Sequence, residues 1–240
     1  MKRALLLLSL LAVPCVVTSC KDDAAPGTDT AAPDTSITTE SPLDKMCKRM
    51  KAMSMSDEDV KIFRTAYEGD TTTLNNLKDG IHIDTYCTGA AAAGNKELVL
   101  QCLDKGADPD YGLAYAAWGG HMEIVKLLLD KGARPAAGLS GAAEDGHMEI
   151  VKLLLDKGAD PDWGLRWAAE GGHTDIVQLM LDNGADPNAG LRHAAEGGHM
   201  EIVKLLLDKG ATDLDSAYNS AESKGHTKCA KLIRAAMKKK

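Results

Sequence analysis

The chain has 240 residues, and its 28 lysine and arginine residues against 35 aspartate and glutamate residues give a formal net charge of −7 at neutral pH. Binding of nucleic acid requires a basic surface, so this balance argues against nucleic acid as a partner. The one basic cluster is the tail at residues 238–240, which we interpret as a solvated end.

The first residues have the layout of an export signal. Lys2 and Arg3 precede an apolar run at residues 4–17, which is shorter than the roughly 20 residues that a membrane-spanning helix needs. Residues 17–20 are Val-Thr-Ser-Cys and resemble the lipobox of bacterial lipoproteins, in which cleavage leaves a cysteine that carries lipid. The resemblance predicts a signal peptide at 1–19 and lipidation of Cys20. An ordinary signal peptide with a chance cysteine is the alternative.

The next segment is rich in Thr, Ala, Asp and Pro and has almost no large apolar residues. Such a segment cannot bury enough surface to offset the entropy lost on ordering, so residues 20–42 are predicted to form a lipidated cysteine and a disordered linker. Residues 43–56 place Met46 and Met50 at helical spacing, which predicts a capping helix. Ser56 is predicted to be the N-cap of the helix that follows.

Internal repeats indicate the architecture. The sequence HMEIVKLLLDKGA occurs unchanged at 121–133, 147–159 and 199–211, and diverged copies occupy 95–107 and 173–185, so the period is 26 residues. Weaker units on both sides bring the number of units to seven and extend the repeat domain over residues 57–237.

Each unit has the pattern of two short helices. The first is predicted to begin near Leu113 and its equivalents, and the second is apolar over most of its circumference, which requires a neighbour on more than one side. Glycines such as Gly132 end the second helix, and a proline follows in most units. The N-caps of the first helices are predicted at Asp110, Asp162 and Asn188.

The pattern A-A-x-x-G-H-x-x-I-V-x-L-L-L-x-x-G-A-D-P, present from Ala142 to Pro161, resembles the ankyrin repeat. The usual ankyrin repeat has about 33 residues and a long β-hairpin finger. Here only two residues, such as Tyr111 and Gly112, follow the predicted cap before the first helix, so the finger is missing. The resemblance implies an all-α, ankyrin-like solenoid of about seven helix pairs with largely truncated β-hairpins.

A histidine recurs at the corner of each unit, and the five are His121, His147, His173, His199 and His226. Successive members should lie roughly 10 Å apart, the distance between packed helices, which is too far for one metal ion. The resemblance implies a structural role for them in orienting the turn, and we predict no metal site.

Cys87 and Cys102 align with two core leucines of the later repeats. The start of the first helix lies beside the end of the second in an antiparallel pair, so a Cys87–Cys102 disulfide could form in an oxidising envelope. Two buried thiols that fill core positions are the alternative.

Catalytic arrangements are missing from the sequence. No Ser-His-Asp, Cys-His or paired-carboxylate set stands apart from the repeat, and every glycine cluster is a repeat corner. We therefore predict no enzymatic activity, no cofactor and no small-molecule substrate.

Differences between repeats are concentrated in the first helix and the turn before it, while the second helix hardly changes. In ankyrin proteins this region lines the concave face that holds partners, and aromatic side chains dominate interface energetics. The resemblance therefore implies a shallow, partner-binding depression that is formed by Tyr111, Tyr115, Trp118, Trp163, Arg166, Trp167, Arg192 and His193. The alternative is that the aromatic residues only pack between adjacent repeats.

The sequence thus predicts a protein-binding module that is exported and anchored by lipid in the cell envelope, as an adaptor or as a protector of another envelope protein. A structural scaffold of the envelope is the alternative. By resemblance to lipoprotein sorting, Lys21 after the cysteine favours the outer membrane in a cell with two membranes.

Overall fold

The computed structural model describes residues 41–52, 54–77 and 80–238. The predicted signal peptide, Cys20 and nearly all of the predicted linker lie outside the described residues. The chain divides into two compact units, one ending at Val60 and the other beginning at Lys61. Within the described residues every regular element is a helix, and the predicted all-α class is confirmed.

The fifteen helices of the described residues are short and follow one another closely. Their bounds are Pro42–Ala52 (α1), Asp57–Tyr67 (α2), Thr71–Asn76 (α3), Gly80–Ala92 (α4), Lys96–Asp104 (α5), Pro109–Trp118 (α6), Met122–Asp130 (α7), Pro135–Glu144 (α8), Met148–Asp156 (α9), Pro161–Gly171 (α10), Thr174–Asp182 (α11), Pro187–Gly197 (α12), Met200–Asp208 (α13), Leu214–Ser223 (α14) and Thr227–Met237 (α15). From α2 onward they alternate as the first and second helices of seven pairs.

The first unit contains α1 and the start of α2. Met46 and Met50 are buried there, as their helical spacing predicts. The Ser56 hydroxyl accepts the Asp59 N–H at 3.1 Å, and the Asp59 carboxylate accepts the Ser56 N–H at 3.2 Å. This reciprocal pair confirms Ser56 as an N-cap. The role of α1 as a cap on the repeats stays a prediction.

The first helices of repeats three to six begin earlier than the sequence predicted. Helix α6 starts at Pro109 rather than near Leu113, and its N-cap is Asp108, whose carboxylate accepts the Asp110 N–H at 3.0 Å. Proline is suited to the first helical position because the missing N–H would have had no helical partner. The predicted caps Asp110, Asp162 and Asn188 are therefore wrong; the latter two lie inside helices capped by Asp160 and Asp186.

The three side chains that were predicted as caps instead connect one repeat to the next, and Asp84 of the second repeat does the same. The three lie in the first turn of a first helix, whereas Asp84 lies beyond the first turn of α4. Each of the four accepts a backbone N–H just before the first helix of the following repeat. We call these contacts the Asp/Asn bonds. They are Asp84 to the Asp108 N–H at 2.7 Å, Asp110 to the Arg134 N–H at 2.6 Å, Asp162 to the Asp186 N–H at 2.6 Å, and Asn188 to the Thr212 N–H at 2.7 Å.

Four of the five corner histidines form a second set of contacts between repeats, which we call the histidine bonds. In these four, the Nε2–H donates to a carbonyl in the last turn of the first helix of the preceding repeat, where backbone carbonyls lack helical partners. The predicted structural role is thereby confirmed for His121, His147, His173 and His199. The bonds are His121 to Ala92 at 2.9 Å, His147 to Trp118 at 2.9 Å, His173 to Glu144 at 2.8 Å, and His199 to Glu170 at 2.8 Å.

A corner glycine makes room for each of these rings. Gly146 has φ +81, which a side chain disfavours, and an added Cβ would lie 2.6 Å from the His173 ring. Gly158, at the end of the second helix, has a similar φ of +89 but open space around it. The corner glycine therefore serves both the turn and the packing of the next histidine.

Both helices of each repeat contribute to the apolar core between repeats. In α7, Ile124, Val125 and Leu128 are buried, and Leu127 and Leu129 are partly buried against the same core. Neighbouring first helices lie closer together than neighbouring second helices, because paired alanines such as Ala116 and Ala117 let their backbones approach. The first helices therefore form the inner side of the second unit.

The Asp/Asn bonds predict a pH-dependent effect of Asp84→Asn. Burial, together with the charge of Asp108, raises the pKa of the Asp84 carboxyl from 3.8 to about 6. The hydrogen bond from the Asp108 backbone lowers this pKa but only partly offsets the rise. The charged form is thus disfavoured in the folded state, and its cost to stability develops between pH 3.8 and about 6. Asparagine keeps the acceptor without the charge, as Asn188 does at the equivalent position four repeats further along the stack. We expect a higher free energy of unfolding at neutral pH.

This gain should shrink as the pH falls through that window in urea denaturation experiments. Asp84→Ala is the control, since it removes the acceptor and should lower stability at neutral pH. An Asp84→Asn gain that is equal at all pH values would contradict the argument.

Candidate functional site

The inner side of repeats five and six carries an exposed cluster of aromatic and cationic side chains. We call Trp163, Arg166, Arg192 and His193 the Trp–Arg patch. Trp163 and Arg166 lie three residues apart on α10 and share one face of that helix. Arg192 lies 26 residues after Arg166, so it takes the same register on α12. Both arginines are exposed, while Trp163 and His193 are half-buried.

Arg166 lies over the indole of Trp163, with 5.5 Å between its guanidinium carbon and the ring centroid. A cation at this distance is attracted by the negative face of the ring. The contact holds an exposed guanidinium beside an aromatic surface, an arrangement that favours recognition of planar and anionic groups.

The arginine of repeat six, Arg192, contacts two polar side chains, and one of these also binds Lys224. Arg192 Nη2 lies 3.2 Å from His193 Nε2, and Arg192 Nη1 lies 3.7 Å from the Glu196 carboxylate. Lys224 Nζ lies 3.3 Å from the same carboxylate. Burial lowers the pKa of His193 from 6.5, and the charge of Arg192 lowers it further. His193 is therefore neutral at neutral pH and accepts from Arg192.

Trp167, by contrast, is a packing residue. It is only 6% exposed and belongs to the core between repeats. Its ring meets that of Trp163 edge to face, with centroids 6.4 Å apart. Its indole Nε1 is buried without a hydrogen-bond partner among the described residues. For this residue the structure favours the alternative that aromatic side chains pack between repeats.

The predicted site residues of repeat three form a separate group. Tyr111 is 8% exposed, and the half-buried Tyr115 packs against Phe63 with ring centroids 5.8 Å apart. Trp118 packs closely on α8. A Cβ atom added at Gly141, which lies on that helix, would be only 2.9 Å from the Cβ of Trp118. These residues contribute mainly to packing, whereas the Trp–Arg patch presents polar groups to solvent.

Sequence reasoning missed one residue beside the Trp–Arg patch, Lys224, which contacts the Glu196 carboxylate. Lys224 precedes the Gly225–His226 corner, where the preceding repeat has a glycine at Gly197. That departure from the repeat pattern was the available signal. The equivalent glycine cannot reach a neighbouring repeat, whereas a lysine side chain can.

The two cysteines are adjacent in the core. Cys87 and Cys102 are free, fully buried thiols in the structure. A hydrogen bond with Cys102 and burial raise the pKa of the Cys87 thiol well above its usual value. The pair is placed as the alignment of repeats predicts, and the disulfide itself stays a prediction.

Neither a metal-binding cluster nor a membrane-spanning helix is present among the described residues. No group of three or more His, Cys, Asp or Glu side chains there could hold a metal ion. Among the same residues, no helix has both the length and the apolar character needed to cross a bilayer.

Comparison with known proteins agrees with the repeat architecture. A family model described as ankyrin repeats, in three copies, matches residues 87–163, 137–190 and 165–239. No curated protein matches the chain.

The different burial of the two neighbouring tryptophans predicts different effects of truncation. Trp167→Ala should lower the free energy of unfolding by about 3–5 kcal/mol, the usual cost of deleting a buried tryptophan side chain. Trp163→Ala should cost less than half as much, because part of this ring is already exposed. Urea denaturation followed by circular dichroism measures both. If Trp167→Ala has the same free energy of unfolding as the parent, Trp167 is not a core residue and the original prediction of a binding role would stand.

Proposed function

Since the chain belongs to the ankyrin repeat family, we propose that it is a non-catalytic protein-binding module held at the bacterial cell envelope by lipid on Cys20. Ankyrin repeats indicate protein–protein interaction. The finer proposal is that the module acts as an adaptor or as a protector of a neighbouring envelope protein.

The observation that carries the proposal is where the repeats differ from one another. Helices α7, α9 and α13 have the same sequence, MEIVKLLLD, and bury the same three positions. The first helices beside them differ, and on α10 and α12 the variable positions Arg166 and Arg192 are exposed, with the half-buried Trp163 and His193 beside them. Variation that leaves the second-helix core unchanged and alters this surface favours recognition there.

The composition of the patch also supports binding. Tryptophan and arginine are the side chains most often found at the energetic centres of protein interfaces. Arg166 and Trp163 are already in contact, so less side-chain entropy is lost when a partner covers them.

Anchoring at the envelope is supported by the first twenty residues alone. A basic start, an apolar run and Val-Thr-Ser-Cys before a polar linker form the pattern of a bacterial lipoprotein. Several acyl chains on one cysteine would give stable attachment, because each buried methylene contributes roughly 0.8 kcal/mol.

Affinity capture from solubilised envelope tests the binding proposal. We expect the full chain to retain a specific protein and Trp163→Ala/Arg166→Ala to lose most of it, by about tenfold or more, because both anchors of the patch are removed. Met200→Ala is the control, since Met200 is an exposed apolar residue on a second helix. If the parent and both variants retain nothing, the structural scaffold becomes the better explanation.

Metabolic labelling with an alkyne fatty acid tests the anchor. The parent chain should incorporate the label and partition into detergent, and Cys20→Ala should do neither. Cys15→Ala, which changes a cysteine inside the apolar run, is the matched control and should be labelled like the parent. Labelling of Cys20→Ala would disprove lipidation at this residue.

A further inference from the structure

We propose that the Trp–Arg patch binds an acidic peptide segment of the partner, held in a polyproline-II conformation with a carboxylate at every third residue. The inference rests on the proposed function and specifies the chemistry of the partner. It is carried by the register of the two arginines, the local excess of positive charge and the aromatic surface beside them.

The register sets the spacing. Arg166 and Arg192 occupy equivalent positions on the adjacent first helices α10 and α12, and packed helix axes lie roughly 8–10 Å apart. A polyproline-II segment rises about 3.1 Å per residue and completes a turn in three. Residues i and i+3 of such a segment therefore lie on one side, about 9 Å apart. This matches the spacing expected between the two packed helices that carry the arginines. An extended β-strand repeats its faces every two residues, about 7 Å apart, and fits less well.

The charge at this surface is positive although the whole chain is acidic. Arg192 and Lys224 share the single carboxylate of Glu196, at 3.7 Å and 3.3 Å. Arg166 adds a further positive charge, and Glu170, one turn after it on α10, adds a second carboxylate, which is buried. The three cations therefore outnumber these two carboxylates. At physiological salt, charges are screened over about 8 Å. The acidic residues elsewhere on the surface therefore repel an acidic peptide at the patch only weakly.

The aromatic surface suits the same ligand. Polyproline-II segments are recognised elsewhere by grooves that are lined with aromatic side chains, because their conformation is largely formed before binding. Trp163 offers part of its ring beside Arg166, and burial of Trp167 beneath it keeps that ring in place. A proline between two acidic residues could therefore rest on Trp163 while the carboxylates reach the arginines. The guanidinium fork also favours carboxylate over an uncharged amide.

Fluorescence anisotropy with defined peptides tests the inference on the full chain in detergent. The probe is a labelled peptide of three Glu-Pro-Pro units. One comparison peptide replaces each glutamate with glutamine, which keeps the conformation without the charge. A second has the same composition with its three glutamates adjacent. We expect the probe to bind at least about tenfold more tightly than either, with an affinity that falls as salt is added.

Charge reversal locates the binding site. Arg166→Glu/Arg192→Glu should abolish binding of the probe. Lys126→Glu/Lys152→Glu is the matched control, because it changes the net charge equally at two exposed second-helix positions that are also 26 residues apart. This variant should bind the probe within about twofold of the parent. Circular dichroism spectra that match the parent would show that both variants are folded.

Equal binding of the glutamine peptide, or equal loss of binding in both charge-reversal variants, would overturn the inference. Binding of the adjacent-glutamate peptide as tightly as the probe would overturn the spacing argument on which it stands. Capture of a protein by the parent chain without any binding of the probe would remove this inference and leave the proposed function. Failure of both assays would remove both.

Discussion

Hydrogen bonds between repeats are the constraint on which the rest of the structure depends. A single helix pair of this length has too little apolar surface to fold alone, so each repeat needs its neighbours in a fixed register. The histidine bonds provide that register at one end of the first helices, and the Asp/Asn bonds provide it near the other. Both use backbone groups at helix ends, which lack helical partners and would otherwise be costly to bury.

This arrangement separates the parts of the repeat that can change from those that cannot. The second helix is covered on both sides, and its corner histidine needs a glycine in the preceding repeat, as Gly146 shows for His173. A change at either position disturbs two repeats. The exposed side chains of Arg166 and Arg192 have no such obligation, and the equivalent positions of repeats three and four hold the small, buried Ala114 and Ser140. Recognition is therefore concentrated where stability depends least on sequence.

The repeat pattern predicted the helical class, the pairing of helices and the structural role of the histidines, because these depend on residues that recur in every unit. It failed for the start of the first helices, since aspartates occur both before and after the proline and either could be a cap. It also could not distinguish Trp163 from Trp167. These residues lie one turn apart on the same helix, and only the packing of neighbouring repeats decides which ring is buried. Lys224 was missed because its contact with Glu196 joins two repeats.

Repeat four lacks one of the contacts that join the other repeats. Ala136 stands where the neighbouring units have Asp110 and Asp162, and its side chain has no oxygen to accept a hydrogen bond. Among the described residues, the joint between repeats four and five therefore has the His173 bond but no Asp/Asn bond. The joint between repeats five and six has both bonds, so bending of the stack would be opposed less at the former joint than at the latter. The Trp–Arg patch lies immediately beyond the joint between repeats four and five, and a load on the protein would tilt that surface as one piece.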